Sequence, residues 1–191
     1  MQKELRKPNL RKHIFPLTCG ALFLALGVLL PQLFHMALGR PGGATFLPMH
    51  LSVLLAGCFL GWRYGLALGA VTPLVSFLIT GMPPIPLLFL MVGELGFYGL
   101  ASGISNKLLR SRERGSLPRI ALAVLLAQLC GRAVYAAMLL LLGTLLGVRG
   151  IPGPEAVLAA VATGWPGILL QLALVPALVR ALHKLKVGTR V

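Results

Sequence analysis

The sequence predicts an all-α, polytopic membrane protein: a bundle of six transmembrane helices with short loops and both termini in the cytoplasm. Three observations predict it. Only 12% of the 191 residues are charged and 57% are hydrophobic, whereas a soluble domain carries about 25% charged residues. Apolar runs near or above the roughly 18 to 20 residues that span a bilayer recur along the whole chain. The basic residues are also sorted by side. Fifteen of the eighteen lie before the first span (Lys3, Arg6, Lys7, Arg11, Lys12), at Arg63, around the loop after span four (Lys107, Arg110, Arg112, Arg114, Arg119) or near the end of the chain (Arg180, Lys184, Lys186, Arg190). Arg40 and Arg149 fall on the opposite side and Arg132 within a span. The positive-inside rule assigns the crowded side to the cytoplasm. Contact with anionic lipid headgroups accounts for the net charge of +14, so nucleic acid is not an expected partner.

The spans are taken as residues 14–38, 46–60, 64–80, 84–106, 117–147 and 154–185 of a single transmembrane domain covering 1–191. The first follows a basic stretch, as a signal peptide does, but its apolar run is too long and five more spans follow, so it is read as retained. The second is short and the third contains Pro73. Trp62-Arg63-Tyr64 between them supplies the aromatic and cationic anchors of a headgroup interface, which favours two full crossings over a partial hairpin. The outer loops "GRPGGATFLP" and "GMPPIP" have turn and polyproline chemistry rather than helix. They read as plain chain reversals, or as a lid over an outward-facing cavity with Met49 and His50 at its base. In span six, "TGWPG" predicts a helix break that frees carbonyls, tolerable in lipid only against protein or a cavity. No internal repeat is visible. Cys19, Cys58 and Cys130 are odd in number, sit within spans and form no C-x-x-C. They read as small apolar residues, with neither a disulfide nor a metal site expected.

The polar residues inside the spans carry the functional signal. Of the four acidic residues only Glu94 lies within the body of a span, ten residues from its outer end, and Arg132 sits midway along span five. A charge at that depth costs about 2.5 to 3.5 kcal/mol on insertion scales, so the two are expected to face each other or a wet cavity. An ion pair that only ties spans four and five together is one reading. The other is contact with a polar substrate, and helical spacing supports it. Gln128, Arg132 and Tyr135 share one helix face, Glu94 and Tyr98 another, and Gln171 with Trp165 supplies a third wall. These groups, with His50, make a small apolar pocket with a few convergent hydrogen-bonding side chains.

Missing chemistry narrows the function. There is no phosphate-binding G-x-x-x-x-G-K-[ST] loop, no aspartate at all, no H-E-x-x-H and no G-x-S-x-G elbow, so neither ATP hydrolysis nor an intramembrane enzyme is supported, and no catalytic residue or cofactor is expected.

The stretches "TFLPMHLSVLLAGCFLGWRYGLALGAVTPLVSFLITGMPP", "ELGFYGLASG", "CGRAVYA" and "TGWPGILLQL", in that order and spacing, resemble the substrate-binding membrane subunits (S components) of energy-coupling factor (ECF) transporters. The likeness runs from about Ile14 to Arg180. It implies a protein of the cell membrane that binds a small water-soluble vitamin or precursor from outside. It also implies partners: a transmembrane coupling subunit and two ATPase subunits that drive uptake. That family docks on its coupling subunit through small residues at A-x-x-x-A spacing on span one, which Ala21 and Ala25 match. The pocket the resemblance implies coincides with Glu94, Tyr98, Gln128, Arg132, Tyr135, Trp165 and Gln171. The competing reading is a structural membrane protein, such as a cell-shape scaffold subunit of similar size and span count.

Overall fold

Six apolar helices long enough to cross a membrane account for almost all of the chain, which a computed structural model describes over residues 10–109 and 116–188. Lys3, Arg6, Lys7, Arg110, Arg112, Arg114 and Arg190, part of the charge asymmetry, lie outside the described residues. The helices are α1 (Leu10–Phe46), α2 (Pro48–Leu60), α3 (Trp62–Thr80), α4 (Leu87–Leu108), α5 (Leu117–Leu139, extended by a π-helical turn over Leu140–Leu145) and α6 (Glu155–Gly188). All regular structure among the described residues is helical.

Two segments depart from the sequence reading. The "GRPGGATFLP" loop is helical: α1 kinks at Gly39 (φ 71°, ψ −174°) and resumes to Phe46, so the second membrane-length segment runs Pro41–Leu60 rather than from residue 46. Proline just inside the start of a helix gives up no intrahelical bond, which is how Pro41 is accommodated after the kink. The "TGWPG" stretch does not break α6, which is continuous from Glu155 through Pro166 and Pro176. Its glycines serve close approach instead, since a Cβ at Gly167 would meet the Phe46 carbonyl and one at Gly164 the Leu47 side chain.

The most extensive helix contact is between α3 and α4, and glycine explains it. Gly65 and Gly69 of α3, with Gly61 just before the helix, repeat every fourth residue and face Leu95, Gly99 and Gly103 of α4. A Cβ at Gly65 would strike the Gly99 backbone, one at Gly99 the Gly65 carbonyl, and one at Gly69 the Leu95 carbonyl. In lipid, where apolar burial between helices gains little, such backbone-to-backbone packing is a principal source of association. Gly61, at φ 100°, is also the single residue between α2 and α3.

Helix α2 is central. Val53, Leu54 and Ala56 are buried in one apolar cluster with Leu95 and Tyr98 of α4, Ile120 and Val124 of α5 and Val175 and Val179 of α6. Hydroxyls on the buried faces bond within their own helices, Ser52 to the Met49 carbonyl (2.8 Å) and Thr72 to the Leu68 carbonyl (2.6 Å), so they leave no orphan donor in the core. At the end nearest the α4–α5 link, Arg119 donates to Asn106 (3.0 Å), which donates to the Cys58 carbonyl (2.7 Å) and ties α5, α4 and α2. Arg63 lies over the Trp62 ring (5.2 Å), the pairing of cation and aromatic expected at a headgroup interface. The outer surface is apolar, with Leu29, Leu33 and Met36 of α1, Leu78 of α3, Leu129 of α5 and Leu158 of α6 all exposed. Such a surface suits hydrocarbon and not water.

Candidate functional site

At the end of the bundle where α1 meets α2, α3 meets α4 and α5 meets α6, the helices part around a cavity of two adjoining lobes. One, of about 280 Å³, is bordered by His50, Glu94, Arg132, Tyr135 and Thr163 together with apolar walls. The other, of about 300 Å³, lies toward α1 and α3 and is bordered by Gln32, His35, Ser76 and the Met82–Pro84 segment. Ala44, Leu47, His50, Leu87 and Met91 border both.

The charged pair forms the polar wall of the first lobe. Arg132 Nη1 donates to Glu94 Oε1 at 2.9 Å, with the two side chains only 13% and 4% exposed. Because α4 starts at Leu87 rather than residue 84, Glu94 is seven residues, or roughly 10 Å, below the helix start. It is therefore shallower than the sequence bounds suggest. Desolvation of two charges can outweigh their mutual attraction unless the remaining donors are also satisfied. Here they are not: Arg132 Nε and Nη2 have no hydrogen-bond partner. His50 completes the group. Its Nε2 is 3.8 Å from Glu94 Oε1, its ring stands edge-on to Tyr98 (centroids 5.0 Å apart, 89°), and neither ring nitrogen has a hydrogen-bond partner.

The residues singled out from the sequence separate into three groups. Glu94, Arg132, Tyr135 and His50 border the cavity. Tyr98 lies beneath it, fully buried under His50, and touches it only through that ring. Gln128 and Gln171 are also buried and border neither lobe; they form a relay. Gln128 Nε2 donates to Gln171 Oε1 (3.0 Å), and Gln171 Nε2 donates to the Leu47 carbonyl (3.2 Å). Trp165, expected in the third wall, is instead on the outer face of α6, 58% exposed, in one stripe with Val161 and Leu169. The reason is helical phase. Gly164, Gly167 and Gln171 turn toward Phe46 and Leu47, and Trp165 is one 100° step away from Gly164.

Leu47 was not visible in advance. It occupies the left-handed region (φ 49°, ψ 48°), which costs a non-glycine residue about 1 kcal/mol or more. Three bonds hold it there: its N–H to the Gly43 carbonyl (3.1 Å), and its carbonyl accepting from His50 N–H (3.0 Å) and from Gln171. The relay thus fixes a strained residue that borders both lobes. Nothing in "FLPM" marks a leucine for that conformation. Thr163, Met91 and Leu87 were likewise missed, because apolar residues and a lone threonine in a span carry no signal of their own. Among the described residues no three His, Cys, Asp or Glu side chains come together to hold a metal ion.

Against known proteins, a family model described as "ECF transporter, substrate-specific component" matches residues 16–179. No curated protein and no solved structure matches the chain.

Proposed function

Because the chain belongs to the ECF transporter substrate-specific component family, we propose that it captures a small water-soluble vitamin or precursor in the Glu94–Arg132–His50 cavity and delivers it for ATP-driven uptake. Members of this family are substrate-binding membrane subunits of transporters and not enzymes. The chain itself is a multi-pass membrane protein with a transport role. Its substrate, partners and orientation are the proposal.

The observation that carries it is the cavity. An ion pair placed only to tie two helices would be enclosed by packing, whereas this one borders the lobe of about 280 Å³, which adjoins the lobe of about 300 Å³; together the two are in the range of small-molecule sites. The charge asymmetry supports a cavity that opens outward, with both termini in the cytoplasm of a cell-membrane protein. The lack of a phosphate-binding loop supports dependence on two ATPase subunits joined through a transmembrane coupling subunit. Ala21 and Ala25, one turn apart on the exposed face of α1, offer the close approach that docking on that subunit needs.

Purification from native membranes tests this. A coupling subunit and ATPases are expected to accompany the protein, and mass spectrometry of the extract is expected to find one small molecule that is lost from Arg132→Lys, because an ammonium lacks the planar fork. Recovery of neither the ATPases nor a bound molecule would overturn the proposal.

A further inference from the structure

Resting on the reading of the cavity as the binding site, we infer that its substrate is an uncharged molecule, with a neutral polar group at Tyr135 and Thr163 and an apolar body reaching from the first lobe toward the second. The charged wall carries this because it is already complete in itself. Arg132 Nη1 and Glu94 Oε1 meet at 2.9 Å, so the cation and the anion cancel each other. Apart from these two, no Lys, Arg, Asp or Glu among the residues with described side chains borders either lobe. The nitrogens here that lack a partner, Arg132 Nε and Nη2 and both ring nitrogens of His50, are buried, and they offer a ligand nothing unless the wall rearranges.

A charged substrate has two ways to sit in such a cavity, and both are unfavourable. It can lie against apolar walls with no counter-charge, which leaves a charge stripped of water. Or it can draw off Arg132 or Glu94, which strands the other member of the pair. A neutral substrate does neither. The remaining polar residues at the lobes, Gln32, His35, His50, Ser76, Tyr135 and Thr163, carry no permanent charge. Tyr135 is partly exposed and Thr163 exposed on the first lobe. A hydroxyl both donates and accepts, so these two suit a group that also does both, such as an amide or a hydroxyl. Beyond them the walls are apolar. Leu47, Leu87 and Met91, all partly exposed, border both lobes, and Met82 borders the second. Flexible thioethers adapt to the shape of an apolar body and gain from contact with a ring edge.

The test uses the full chain in lipid nanodiscs and three fluorinated probes that differ only in the head: 4-fluorobenzamide, 4-fluorobenzoate and 4-fluorobenzylamine, with binding followed by fluorine NMR. Ala44→Trp, which fills the space between the lobes at an exposed position, separates the site from the lipid: signal that persists in this variant is uptake by the bilayer and counts as no binding. The neutral amide is expected to bind at least about tenfold more tightly than either charged probe. Tyr135→Phe combined with Thr163→Val should weaken the amide about fivefold or more, the loss of two neutral hydrogen bonds, and leave the charged probes unchanged. Glu94→Gln, which uncovers the charge of Arg132, should shift the ranking at least about tenfold toward the benzoate. If that variant does not fold, the ranking on the parent protein and the hydroxyl variant decide. A benzoate or amine that equals the amide on the parent protein, an amide indifferent to the loss of both hydroxyls, or no binding by any of the three overturns the assignment. A protein that fails this test yet co-purifies with its ATPases remains a transport subunit for a charged substrate. One that passes and never joins ATPases keeps the site and loses the transport reading.

Discussion

Arg132→Ala is expected to cost the folded protein about 3 to 5 kcal/mol, because it leaves the Glu94 carboxylate buried without its counter-charge. Glu94 is only 4% exposed at its side chain. Its remaining close polar neighbour, His50 Nε2, is 3.8 Å away, beyond good hydrogen-bonding distance. Adding Glu94→Gln to the arginine variant removes the stranded charge and should restore more than half of the loss. Reversible unfolding in mixed micelles measures both. Stability that does not improve in the double variant would mean that the arginine acts through its packing and not through its charge. The same double variant is expected to stay folded and to have lost its ligand, which separates the structural use of the pair from its use on substrate.

Gly99→Ala is expected to destabilise by about 3 kcal/mol, at the upper end of what overpacking costs. The new methyl would be driven into the Gly65 carbonyl oxygen and carbon, and a backbone group cannot rotate aside as a side chain can. Gly96→Ala, on the same helix, is the control. Its Cβ would meet the Leu66 side chain at 3.5 Å, an ordinary contact, and alanine gains about 0.8 to 1 kcal/mol in helix propensity over glycine. It should therefore be neutral or stabilising. Unfolding measurements that find the two substitutions equivalent would remove the α3–α4 backbone seam as the source of cohesion.

Hydropathy and charge sorting made the helix count legible, because in lipid every backbone group must be satisfied within its own segment and length becomes a direct readout. The pairing of Glu94 with Arg132 was legible for the same reason, since two isolated charges in apolar helices have few places to go. What the sequence hides is phase and backbone state. Gln128, Arg132 and Tyr135 do share a helix face, yet Gln128 is four residues deeper and finds Gln171 rather than the cavity. Trp165 adjoins the same Gly-Pro feature that brings α6 close to the end of α1 and Leu47, and a single helical step turns it outward. The "PGG" stretch carries loop composition, but a kink at Gly39 lets the helix restart at once. Leu47 is set by contacts with Gly43, His50 and Gln171, which come from three different helical segments, and local composition cannot report them.

The central claim is that the charged pair looks into a cavity open on the outer side of the membrane. Thr163, exposed on the wall of the first lobe, gives the most direct test. With Cys19, Cys58 and Cys130 replaced by alanine, Thr163→Cys is treated in intact cells with a membrane-impermeant thiol reagent. The account predicts rapid labelling from outside that slows when the substrate is present. A thiol that stays unreactive, or that reacts only when the cytoplasmic face is exposed, would contradict it.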